Sequence, residues 1–109
     1  MPKKTLIREK YYSRRPFDLG AEAALSFKYK SSLINLITYQ QEANALYFSQ
    51  TAEKFKLFLD KIKERGGEIK EEAMVYSNFA SNPKSRSEFL KGFMTGIEYL
   101  KINYGNYII

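Results

Sequence analysis

Thr51 is followed by Phe55, Phe58, Leu59 and Ile62, and the run stops on Gly66-Gly67. Apolar residues at i, i+3, i+4 and i+7 share one face of an α-helix. Lys54, Lys56, Asp60, Lys61, Lys63 and Glu64 fill the opposite face. Thr51 suits an N-cap, and glycine suits the left-handed position that closes a helix. A helix with one apolar face must bury it against other elements, so this segment commits the chain to a packed helical core.

The neighbouring segments repeat that pattern. Leu33, Leu36, Ile37, Gln40, Ala43, Leu46 and Tyr47 recur at helical spacing after Ser31 or Ser32. Asp18 is a candidate cap for an earlier helix that presents Leu19, Ala23, Ala24 and Phe27; Gly20 in its first turn is a mild cost. Between residues 68 and 80, Ile69, Ala73, Tyr76 and Ala80 form a stripe, with Val75 and Phe79 widening it and Glu68, Glu71 and Glu72 in the first turn. Pro83 reads as a stop, and Ser85-Arg86-Ser87-Glu88 as the capping box of a last helix. That helix carries Phe89, Phe93, Ile97 and Leu100, flanked by Leu90 and Met94. The expected fold is all-α, with four or five helices over residues 18–109 and an extended basic arm over residues 1–17. The alternative is α+β. Leu25, Phe27 and Tyr29 alternate with polar residues, which suits a short strand near 24–30, and a second is conceivable near 45–49.

Charge is distributed unevenly. Lys3, Lys4, Arg8, Lys10, Arg14 and Arg15 are six of the eighteen basic residues, and Glu9 is the only acid among them. The first fifteen residues thus carry 6 − 1 = +5 of a net +6. Tyr11, Tyr12 and Phe17 are interleaved with these cations. Lysine and arginine neutralise phosphates and release counterions, and tyrosines stack on bases. An arm reaching from a helical body into a groove is one known use of such a segment. The plainer reading is a solvated basic terminus whose aromatic residues cover the core. Lys84, Arg86 and Lys91 form a second basic cluster at the start of the last helix, where a helix-turn-helix presents its contact residues. Against that, the last helix is apolar at residues 89, 90, 93, 94, 97 and 100, which suits an ordinary antiparallel hairpin.

Gly92 and Gly96 lie four apart inside a helix and cost about 1 kcal/mol each relative to alanine. Close helix–helix approach, within the fold or across a homodimer, is the expected compensation. The string Phe89-Leu90-Lys91-Gly92-Phe93-Met94-Thr95-Gly96 resembles the glycine-bearing helix of LAGLIDADG homing endonucleases over eight residues. Thr95 stands where that family carries a catalytic acid, so the resemblance implies DNA binding without cleavage.

Much chemistry is excluded by composition. With no cysteine there is no disulfide, thiolate nucleophile or cysteine-based metal site. With no histidine, the commonest general base and transition-metal ligand is absent. No run of about 18 apolar residues suggests a membrane span, and no signal-like segment follows the basic start, so a cytoplasmic location is the expectation. Neither a catalytic constellation nor a cofactor motif is evident. The expected function is a small non-enzymatic nucleic-acid-binding protein, with DNA favoured over RNA, such as a regulator or accessory factor of a mobile element or virus. The alternative is a protein–protein module whose arm docks on an acidic partner.

Overall fold

Three glycines allow two helices to touch backbone to backbone, and that contact organises the fold. In a computed structural model, which describes residues 15–106, α1 spans Pro16–Leu25 and α5 spans Pro83–Ile102. A Cβ on Gly20 would lie 1.9 Å from the carbonyl oxygen of Phe89, and one on Gly92 would lie 1.9 Å from that of Phe17. On Gly96 it would meet the Cβ of Ala24 at 2.7 Å. Phe17 and Asp18 share a cleft with Lys84 and Glu88, and Phe27, just past the end of α1, lies beside Leu100, so the two helices run side by side in the same direction. Leu19, Ala23 and Ala24 complete the buried face of α1.

Around this pair lie α2 (Leu33–Phe48) and α3 (Ala52–Glu64). Ser32 caps α2 by accepting from the Asn35 amide, and Thr51 caps α3 by accepting from the Lys54 amide. Phe55, Phe58, Leu59 and Ile62 of α3 are all buried. Gly66 has φ of 90°, and the Gly67 amide donates back to the Ile62 carbonyl, closing the helix as its sequence predicts. Phenylalanines join the elements edge to face: Phe55 with Phe89, Phe58 with Phe93, and Phe27 with Phe93. Leu36, Tyr39, Ala43 and Leu46 of α2 close the core.

The all-α expectation holds, with five helices and no strand among the described residues. The strand alternative fails at 24–30 because only Phe27 of its alternating residues is buried. Leu25 is exposed, and Tyr29 is 71% exposed in the left-handed region at φ 68°. Residues 45–48 are the last turn of α2. The arm boundary also shifts. α1 starts at Pro16 rather than after Asp18, because proline at the first helical position needs no amide partner. Residues 1–14 lie outside the described region, so the arm's extended form is not described.

Two further expectations are corrected. The expected break is present at residues 80–82, but Pro83 also opens α5. Asn82 is the N-cap, accepting from the Lys84 and Ser85 amides at 3.0 and 3.2 Å, so Ser85 and Glu88 form no capping box. Asn82→Ala is expected to lower stability by about 1 kcal/mol in urea unfolding, whereas Ser85→Ala leaves it nearly unchanged. The 68–80 stretch is no regular helix. Glu71 is left-handed at φ 53°, α4 spans only Glu72–Met74, and a π-helical turn follows at Val75–Phe79. The Ala80 amide donates to the Val75 carbonyl, so Val75, Phe79 and Ala80 turn inward together while Ala73 faces solvent. A turn of 3₁₀-helix, Tyr104–Asn106, ends the described chain.

Candidate nucleic-acid interface

The parallel packing of α1 and α5 puts both N-termini at one end of the body. Each N-terminus carries the positive end of a helix dipole, although at α5 the Lys84 and Ser85 amides are already satisfied by Asn82. A cleft of about 450 Å³ opens there, lined by Arg15, Pro16, Phe17 and Asp18 from α1 and by Lys84 and Glu88 from α5. Arg15 and Lys84 are exposed. One basic residue from each of the two clusters therefore shares this rim. Asp18 and Glu88 balance them, so the cleft itself carries no net charge. Residues 1–14, which precede Arg15 in the sequence, carry five cations (Lys3, Lys4, Arg8, Lys10 and Arg14) against Glu9, a net of +4. Those cations, with Tyr11 and Tyr12, lie outside the described residues.

Lys91 is also exposed, two turns beyond Lys84 on the same side of α5, with its ammonium 5.9 Å from the centre of the Tyr47 ring. Arg86 does not join them. Its side chain is 8% exposed; Nε donates to Oε1 of Gln50 at 2.9 Å and Nη1 donates to the Ala80 carbonyl at 2.5 Å. Gln50 donates in turn to the Ser87 hydroxyl at 2.7 Å. Arg86 thus fastens the α2–α3 junction and the end of the π-helical turn to the start of α5. A guanidinium spent on buried carbonyls is not available to a phosphate. The basic cluster at 84–91 is reduced to Lys84 and Lys91.

The helix-turn-helix arrangement is not formed either. Its first helix would need residues 68–80 to be regular, and they are not. Its second would need α5 to stand proud of the surface. Instead α5 is the central helix, with Phe89, Leu90, Phe93, Ile97 and Leu100 buried. Gly92 and Gly96 are taken up by α1 within the chain, which leaves neither available to a homodimer contact.

Elsewhere several surface charges form ion pairs. Arg65 makes a two-pronged contact with Glu42 at 2.5 and 3.0 Å, and stacks 4.5 Å from the centre of the Tyr39 ring. This hydrogen bond holds the Glu42 carboxyl below its usual range against the opposing effect of burial. Lys63 pairs with Glu72, Lys70 with Glu22, and Lys101 with Glu98. No helix among the described residues is long and apolar enough to cross a membrane.

One feature of the surface was not singled out by sequence reasoning. Ile34 and Phe48 of α2 are 75% and 77% exposed, and Ile37, expected on the buried stripe, is exposed as well. The signal was present: α2 contains a single charged residue, Glu42, on a helix whose outer face meets water.

No family model, no curated protein and no solved structure matches the chain. The short resemblance to a homing-endonuclease helix therefore has no wider support, and its two glycines are accounted for by the contact with α1.

Proposed function

We propose that this protein is a non-enzymatic nucleic-acid-binding protein that grips phosphates with a cationic arm rooted beside the starts of α1 and α5. The observation that carries this reading is the shared rim of Arg15 and Lys84. It joins the segment holding most of the net charge to the one basic position of the second cluster that lies beside it. An arm leaving from that rim has two helix N-termini behind it, whose dipoles favour anions. Lys3, Lys4, Arg8, Lys10, Arg14 and Arg15 supply the phosphate contacts, Tyr11 and Tyr12 stack on bases, and Lys84 and Lys91 extend the track along α5. Duplex DNA is the favoured ligand, since an arm of this kind can follow a groove while the body rests on the backbone.

The test is a gel shift of the full chain against residues 15–109, on duplex DNA, single-stranded DNA and RNA, with circular dichroism to check that both forms are helical. Binding by the full chain that drops at least about tenfold on truncation supports the arm. Equal binding by both forms contradicts it. The absence of binding by either form favours the second reading, in which the arm docks on an acidic protein. The uncharged outer face of α2 gives that reading its own support, because such a face suits a protein contact better than a phosphate.

A further inference from the structure

Tyr29 is held in a backbone that does not suit it. It takes the third position of a turn in which the Lys30 amide donates to the Phe27 carbonyl at 2.9 Å, and its φ is 68°. That left-handed position suits glycine or asparagine, and a bulky side chain there is strained. Core packing does not offset the strain, because the residue is 71% exposed. Strain that persists outside the core points to a use for the side chain.

The ring stands at a pocket of about 250 Å³ between the end of α1 and the end of α5. Phe27, Leu36 and Leu100, all buried, form its depth. Lys28, Tyr29 and Tyr104 form its mouth. The frame is fixed from two sides. Phe27 packs against Tyr39 and Phe93, with ring centres 4.9 and 6.5 Å away. The Lys30 ammonium donates to the Gly66 carbonyl at 3.2 Å, which ties the turn to the loop after α3. Lys28 places its ammonium 5.2 Å from the centre of the Tyr29 ring.

These groups define a ligand chemistry. The apolar depth admits an uncharged ring, the tyrosines stack on its face, and the ammonium meets an anion joined to it. A nucleobase with its adjoining phosphate has both parts. An aliphatic chain would use neither the tyrosines nor the lysine, and a lone phosphate would not use the apolar depth.

We propose that this pocket binds a nucleobase stacked on Tyr29, with Lys28 on the adjoining phosphate. The base comes from a single strand or from a free nucleotide. The site stands apart from the arm. α5 has 20 residues and is therefore about 30 Å long; Lys84, at the arm root, and Leu100, in the pocket, lie toward its opposite ends. Either assignment can fail alone.

The chain has no tryptophan, so the fluorescent base 2-aminopurine can be excited without protein background. Its quenching by the full chain is measured as the nucleoside, as the nucleoside monophosphate and within a short single strand. Quenching of the monophosphate but not the strand assigns the site to free nucleotides. Quenching of the strand alone assigns it to a strand, and quenching of both to the base and phosphate wherever they occur. Tyr29→Gly removes the ring and relieves the backbone. Binding should fall at least about fivefold while the thermal midpoint does not fall. Tyr29→Phe keeps the ring and should bind as the parent does. Lys28→Gln should weaken the monophosphate about threefold and leave the nucleoside unchanged. Monophosphate quenching should persist when Lys3, Lys4, Arg8, Lys10 and Arg14 are all glutamine, a change that the arm reading expects to weaken duplex binding. No quenching of any of the three forms overturns the proposal. So does equal quenching by Tyr29→Gly, or a midpoint that drops together with its binding. Quenching that appears only after Tyr107, Ile108 and Ile109 are replaced by serine assigns the pocket to those residues and overturns it as well.

Discussion

Gly92→Ala is expected to destabilise the fold by at least about 3 kcal/mol, and Gly20→Ala by a similar amount. The reason is what each new methyl would strike. At both positions it would lie 1.9 Å from a carbonyl oxygen of the facing helix. A side chain can rotate away from such a clash, but a helical backbone cannot. The only relief is to separate α1 from α5, and that opens the packing of Leu19, Ala23, Phe89 and Phe93 together. Gly96→Ala should cost less, because its first contact is the Cβ of Ala24 at 2.7 Å, at the far end of the same interface. Alanine would normally stabilise a helix interior by about 1 kcal/mol over glycine, so these substitutions carry opposite signs under the two explanations. Urea or thermal unfolding of the three variants decides between them. A Gly92→Ala protein as stable as the parent would show that the helices do not approach as described.

Arg86→Ala comes next in expected size, with a loss of about 2–4 kcal/mol. The substitution leaves the Ala80 carbonyl without its donor and frees Gln50, so the α2–α3 junction loses its tie to α5. Arg86→Lys recovers little, since an ammonium cannot reproduce the two-directional contact of a guanidinium. The same variants discriminate between a fastener and a phosphate ligand. Lys84→Gln and Lys91→Gln should weaken nucleic-acid binding with little effect on unfolding. Arg86→Lys should do the reverse, lowering the unfolding midpoint while leaving the salt dependence of binding unchanged below that midpoint. A lower salt dependence with an unchanged midpoint would return Arg86 to the surface cluster.

How much of this was legible in the sequence differs from element to element. Around α3 the periodicity, the cap and the glycine stop all agree, and the helix lies where they put it. Gly92 and Gly96 also stood out, because glycine inside a helix needs a reason. Gly20 was misjudged as a mild cost. Its role depends on which helix faces it, and pairings between helices distant in sequence leave no local mark. Pro83 and Ser85 show a different limit. Asn82-Pro83 and the Ser85–Glu88 box are both sound helix starts, and the choice lies with Asn82, whose side chain reaches two amides. The π-helical turn at Val75–Phe79 arose because three inward residues had to fit one short connection, which is a tertiary demand. Arg86 was placed on the surface because arginine usually lies there. Its burial follows from two neutral oxygens, of Gln50 and Ala80, that only the fold brings together. Ile37 of α2 was read as core because it fits the spacing of the stripe, yet it lies on the exposed face.

The measurement that bears most directly on the arm is the slope of log binding constant against log salt on duplex DNA, by fluorescence anisotropy. It compares the full chain with a variant in which Lys3, Lys4, Arg8, Lys10 and Arg14 are all glutamine. Each lost phosphate contact should flatten the slope by about 0.9, so the full set of five should flatten it by about 4.5. A parent slope that survives the five substitutions unchanged would contradict the arm as the phosphate-binding element.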